Sequence, residues 1–216
     1  MSTAVDQPAI VYPESDGQPI ADNTLQFRYI TTIQGNLDGM YRSDPNVFVA
    51  ADLFWYPVEG HPEIRIAPDV LVVFGAPKGD RGSYRQWEEG GVAPQVVFET
   101  LSPRNSPIEM SDKFDFYQRY GVEEYYLYDP DRGELCGYLR QGEQLRGVPT
   151  MHGHVSPRLG VRFELVNDKL HLYDPGGQRF LTYVELAREC DRLRQLRERA
   201  ERLAALLREH GLEPPA

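Results

Sequence analysis

Cysteine is nearly absent from this 216-residue chain: Cys136 and Cys190 are the two present, and they lack metal-ligand spacing. A disulfide-stapled scaffold is therefore not expected, and a reducing compartment, the cytoplasm, is. No apolar run approaches the ~18 residues of a membrane helix, so no membrane partner is expected. Residues 1–10 lack a basic region followed by an apolar stretch, so no secretory signal is expected. Positive charge is also short: 23 Lys and Arg stand against 33 Asp and Glu, a formal net charge of -10. Proteins that coat nucleic acid neutralise phosphates with Lys and Arg. The balance argues against that class and leaves room for an enzyme that touches DNA transiently through a local patch. No internal repeat and no Ser, His or Cys nucleophile signature is visible.

What is present is a globular composition, 41% hydrophobic and 11% aromatic. Three segments follow from it: a flexible lead-in over 1–21, rich in proline and acid, a main domain over 22–180, and a C-terminal helix and tail over 181–216. Asp22-Asn23-Thr24 is a helix-start signal before Leu25, Ile30, Ile33, Leu37 and Met40, predicting a helix over about 23–40. Asn46–Tyr56 reads as a strand, and Ile64–Phe74 as another, bent by Pro68. The glycine-rich stretch 75–94 is too long for a structureless connection and is expected to be functional or partly helical around Tyr84–Glu89. Val96–Leu101 is apolar on both faces, as in a central strand. Pro107–Tyr120 is a helix by its Met110, Phe114 and Tyr117 spacing, stopped by Gly121. Tyr125–Tyr128 and Glu134–Arg140 follow as one strand hairpin, and Val161–Leu165 and Lys169–Tyr173 as another around Asn167-Asp168. The helix joining two neighbouring strands predicts a βαβ crossover and a parallel pair.

From Thr182 the pattern changes. Leu186, Leu193, Ala200 and Leu207 are seven apart, and Leu196 and Leu203 fall three residues later in the same cycle. This predicts a long helix with a coiled-coil seam, imperfect at Glu189 and His210, and suggests a homodimer.

Two apolar runs each carry a carboxylate, Asp69 in Ala67–Phe74 and Glu99 in Gln95–Ser102. Lys113 lies fourteen residues after Glu99, on the face shared by Met110 and Tyr117. A carboxylate inside an apolar strand is costly to bury unpaired, so Glu99 calls for a cation. Hydrolysis of a phosphodiester uses a hard divalent cation held by carboxylates and a carbonyl, and a further cation at the developing charge. Asp69, Glu99 and the Thr100 carbonyl are the candidate ligands, and Lys113 the orienting or charge-stabilising group. Asp52 is a candidate further ligand, Ser102 and Tyr117 candidate supporting residues, and Lys78, Arg81 and Arg85 candidate phosphate contacts.

These residues carry a resemblance. Pro68-Asp69 followed by Glu99 on the next strand resembles the PD-(D/E)XK nuclease superfamily. Ala67–Val70, Phe98–Pro103, Lys113–Tyr117 and Gly121–Pro130, in this order, resemble the Uma-type restriction endonuclease family over about residues 22–175. The resemblance implies an α/β fold with a mixed sheet, built on a restriction-endonuclease-like αβββαβ core to which this chain adds β-hairpins and the long C-terminal helix. It also implies Mg2+-dependent DNA cleavage (Mn2+ as a substitute) and a tendency to dimerise. The superfamily lysine stands two residues after the glutamate, where this chain has Leu101; in the resembling family it has moved to the following helix, which Lys113 matches. The alternative is a catalytically silent nuclease fold that serves as a dimeric interaction module through its C-terminal coiled coil.

Overall fold

A computed structural model describes residues 10–15, 17 and 19–210, so parts of the expected lead-in and tail lie outside the described residues. The chain forms two compact units, Met1–Phe180 and Leu181–Ala216.

The first unit is organised by a six-stranded mixed sheet. Its strands are β1 (Val47–Ala50), β3 (Val70–Phe74), β5 (Val96–Thr100), β6 (Glu124–Asp129), β7 (Glu134–Gln141) and β8 (Gln144–Gly147), in that spatial order. β2 (Trp55–Tyr56) and β4 (Tyr84–Arg85) form a small parallel pair, and β9 (Arg162–Val166) and β10 (Lys169–Tyr173) an antiparallel hairpin. Within the large sheet β5 and β6 run parallel and the other neighbours antiparallel. Helix α2 (Pro107–Arg119) makes the β5–α2–β6 crossover expected from the sequence. With α1 (Thr24–Met40) leading, α1, β1, β3, β5, α2 and β6 complete the αβββαβ order.

Alternation along the strands sorts the core into two layers. Val70, Val72, Val96, Phe98 and Tyr126 pack with Ile30, Ile33 and Leu37 of α1 and with Phe163 and Leu172 of the hairpin. Leu71, Val73, Val97 and Tyr125 pack with Tyr117 of α2, Trp55 and Tyr84. Asp69 and Glu99 continue the odd-numbered series, which places both on the α2 side.

Local chemistry accounts for the element ends. Asn23 Oδ1 accepts from the Leu25 and Gln26 amides, both at 2.9 Å, and starts α1. Ser106 caps α2, with Pro107 at its first position. Gly121, at φ 96, turns the chain out of α2. Asn167 and Asp168, at φ 50 and 59, close the β9–β10 hairpin with a two-residue turn whose twist matches its strands.

Two expectations are corrected, and the helical turn expected around Tyr84–Glu89 is present. The strand expected over 46–56 breaks after Ala50, because Asp52 takes a left-handed φ of 49 and Trp55–Tyr56 leave to pair with β4. The strand expected from Ile64 is reduced to Val70–Phe74: Pro68 has no amide to give a ladder, and Ile66 keeps a single bridge to Trp55. Stretch 75–94 holds β4 and a short 3-10 helix, Gln86–Glu89, ended by Gly90 at φ 67.

The second unit is α3 (Tyr183–Glu209), begun by a capping box. The Thr182 hydroxyl accepts from the Glu185 amide, and the Glu185 carboxylate accepts from the Thr182 amide. No helix among the described residues is long and apolar enough to cross a membrane.

Candidate active site

The β3–β5 register, Val70 opposite Phe98, brings Asp69 opposite Glu99. The Thr100 amide donates to Asp69 Oδ2 at 2.6 Å, which fixes the carboxylate against the end of β5. The crossover then returns α2 over the same face. Lys113 Nζ donates to Glu99 Oε2 at 2.8 Å, and the Tyr117 hydroxyl donates to Glu99 Oε1. Lys113 and Tyr117, one helical turn apart, thus take one carboxylate oxygen each. Glu99 is only 3% exposed, so its charge is balanced almost wholly from α2.

Electrostatics follow from this enclosure. Burial, then the neighbouring charge of Glu99, raises the Asp69 carboxyl well above the ordinary aspartate range. Burial by itself would lower the Lys113 ammonium, but the negative charges of Glu99 and Asp69 outweigh it, and Lys113 is raised and stays protonated. Burial and the adjacent Glu99 push the Tyr117 phenol well up, so it acts as a neutral donor.

The other candidate residues fall into two groups. Asp52 sits at the bend after β1, where its amide donates to the Pro68 carbonyl at 3.1 Å, and its charge adds to the pressure on Asp69. The Thr100 carbonyl accepts from Gln26 Nε2 at 2.8 Å. Ser102 is buried and braces the β5–α2 connection, with its hydroxyl 2.5 Å from Asp22 Oδ2 and its amide on Asn105 Oδ1 at 2.8 Å. Lys78, Arg81 and Arg85 do not join this cluster. Lys78 pairs with Asp38 at 3.0 Å, Arg81 with Glu89, and Arg85 with Glu88 at 3.2 Å. Lys78 also follows the far end of β3, roughly 14 Å from its start at ~3.4 Å per residue.

Gln26 is a site residue that sequence reasoning missed. It is buried on α1, accepts from the Asp22 amide and donates to Thr100. The signal was present: positions 26, 30, 33 and 37 share one helix face, and Gln26 is its one polar member. A buried polar side chain on an apolar stripe marks a fixed partner. A second missed residue, the carboxylate Glu124, is wholly used in bracing. It accepts from the Arg158 amide at 2.6 Å, the Tyr126 hydroxyl at 2.9 Å and the Ser156 hydroxyl, pinning that loop to β6.

The donor set suits a hard divalent cation. Asp69 and Glu99 offer charged oxygens and Thr100 a carbonyl already oriented by Gln26, with no soft ligand nearby. Asp69 Oδ1 makes no hydrogen bond to a described residue, and the raised Asp69 carboxyl marks a place where added positive charge is favourable. Among the described residues no cluster of three or more His, Cys, Asp or Glu side chains forms a metal cage. A cation here would rest on two carboxylates, a carbonyl and solvent.

No curated protein matches the chain. Among solved structures it is similar to one described as a "putative nuclease belonging to DUF820" from Anabaena variabilis ATCC 29413, with 14% identity, a TM-score of 0.47, and coverage of 62% of this chain and 72% of that one. A family profile described as "Uma2: Putative restriction endonuclease" matches residues 9–166. That span takes in Gln26, Asp69, Glu99, Lys113 and the whole six-stranded sheet, and supports nuclease as the class of activity. The chain belongs to the Uma2 restriction endonuclease family.

Proposed function

We propose that this protein is a Mg2+-dependent DNA endonuclease, with Mn2+ as a substitute, that hydrolyses phosphodiester bonds at the Asp69–Glu99–Lys113 cluster. The observation that carries the reading is Glu99, buried at the end of β5 beside Asp69 with a charged lysine on one oxygen. When bound, the divalent ion supplies Lewis acidity at the phosphoryl oxygen and a more acidic water. Asp69 and Glu99 would hold it from neighbouring strands, and the Thr100 carbonyl would add a third protein oxygen. Lys113 enters from α2 with its ammonium on Glu99. Its part is to donate a hydrogen bond and neutralise charge developing on the phosphorane. Tyr117 holds Glu99 in one rotamer, and Gln26 holds the Thr100 carbonyl.

The test is nicking of supercoiled plasmid in Mg2+ and in Mn2+ by the native protein and by Glu99→Ala and Lys113→Ala variants of preserved circular dichroism. Divalent-dependent nicking lost in both variants supports the reading; cleavage that survives both removes these residues from the chemistry. A silent fold is the second reading, favoured by the Glu99–Lys113 bond itself, since an inert internal ion pair has the same geometry. It predicts no nicking and no divalent binding by the native chain.

A further inference from the structure

Helix α3 exposes its leucines. Leu186, Leu193, Leu196 and Leu203 are each 50–56% accessible, and no residue of the helix is buried. The heptad register puts them in a seam with Ala200 and Leu207, and it fixes what flanks that seam. Before the first seam position stand Glu185, Arg192, Arg199 and Leu206; after the second stand Cys190, Arg197 and Ala204. These flanks meet a partner's flanks in a coiled coil and select it by charge.

A second copy of this chain is a poor match. In parallel pairing, Arg192 of each helix faces Arg197 of the other, and this happens twice. In antiparallel pairing with the seams aligned, the axis falls near residue 198, so Arg197 faces its own equivalent and Arg199 does likewise. The seam is too weak to override this, because Ala200 is small and Glu189 and His210 are polar. Glu201 holds Arg197 at 2.9 Å along the helix, and Glu189 holds Arg192 at 3.4 Å, while Arg199 makes no ion pair among the described residues.

We propose that α3 is a docking helix for another protein's amphipathic helix, one with a leucine seam flanked by carboxylates. Arg192, Arg197 and Arg199 select it, and Leu193, Leu196 and Leu203 supply the apolar contact. The helix thereby tethers the chain to that partner.

The test uses the full chain and two synthetic helices of about four heptads, identical in their leucine seam, one with Glu and one with Lys at the flanking positions. Fluorescence anisotropy at low salt should show the Glu-flanked helix binding at least about tenfold tighter, with the gap shrinking once salt screens the flanks. Arg197→Glu/Arg199→Glu should reverse the preference, and Leu193→Gln/Leu196→Gln should abolish binding of both. Equal affinity for the two helices, or no binding of the Glu-flanked one, overturns the proposal. So does sedimentation of the native chain as a dimer that Leu193→Gln/Leu196→Gln disrupts, which assigns the face to a second copy.

Discussion

Replacing Lys113 by methionine keeps the aliphatic stem and removes the charge opposite Glu99. The bond is 2.8 Å long, Glu99 is 3% exposed, and the Lys113 side chain is 17% exposed. Removing one partner of a buried pair costs about 3–5 kcal/mol, because the other charge is left uncompensated. The Tyr117 hydroxyl stays on Glu99, and solvent reaches the lysine end, so the expected loss lies near the lower limit, about 3 kcal/mol. Adding Glu99→Gln removes the stranded charge, so the double variant should lose only about 1 kcal/mol. Urea unfolding followed by tryptophan fluorescence measures this. Trp55 is fully buried, and its ring lies 5.4 Å from Phe116 of α2, so it reports on the helix that carries Lys113. Divalent cations should recover stability in Lys113→Met, since the ion replaces the lost charge, by ~2.7 kcal/mol at a hundred times its dissociation constant. Additive losses in the two single variants and the double would refute the claim that Lys113 exists to balance Glu99.

Other outcomes follow from the same geometry. Asp69 has a raised carboxyl, so the folded state holds a proton that the unfolded state has already released. Its contribution is greatest below the ordinary aspartate value near 3.8 and is lost as pH rises through the raised one. Asp69→Asn should therefore raise the Tm at neutral pH and flatten its fall with pH above 4; a lower Tm at neutral pH would contradict the assignment. Tyr117→Phe leaves Glu99 Oε1 without its donor and should cost about 1–3 kcal/mol in the same urea assay. Gln26→Leu fills the α1 stripe but frees the Thr100 carbonyl; it should keep the fold and weaken divalent-dependent nicking severalfold, read as an increased metal requirement.

Much of this arrangement was legible in the sequence because short-range rules governed it. The Asn23 cap, the Pro107 start and the two-residue Asn167-Asp168 turn are each set by a few neighbouring residues, and the structure carries them. The crossover was legible because a helix between two apolar strands admits few topologies. Tertiary choices were not. Trp55 and Tyr56 have ordinary strand chemistry, and nothing local says that they abandon β1 to pair with Tyr84 and Arg85. β8 was missed because Gln144–Gly147 is polar and owes its ladder to β7 alone. For the site, Asp69, Glu99 and Lys113 stood out as charges in apolar surroundings, whereas Gln26 was overlooked because its chemistry is neutral. Lys78, Arg81 and Arg85 drew notice as cations in a glycine-rich stretch. The sequence did not show that Asp38, Glu89 and Glu88 would pair with them.

Calorimetric titration of Mn2+ into the native protein and into Asp69→Asn, Glu99→Gln and Lys113→Met variants asks whether Asp69, Glu99 and Lys113 form one charge-balanced site for a divalent cation. A single binding event is expected in the native protein, lost in both carboxylate variants and retained or strengthened in Lys113→Met. Absence of binding by the native chain, or binding indifferent to Asp69 and Glu99, would contradict it.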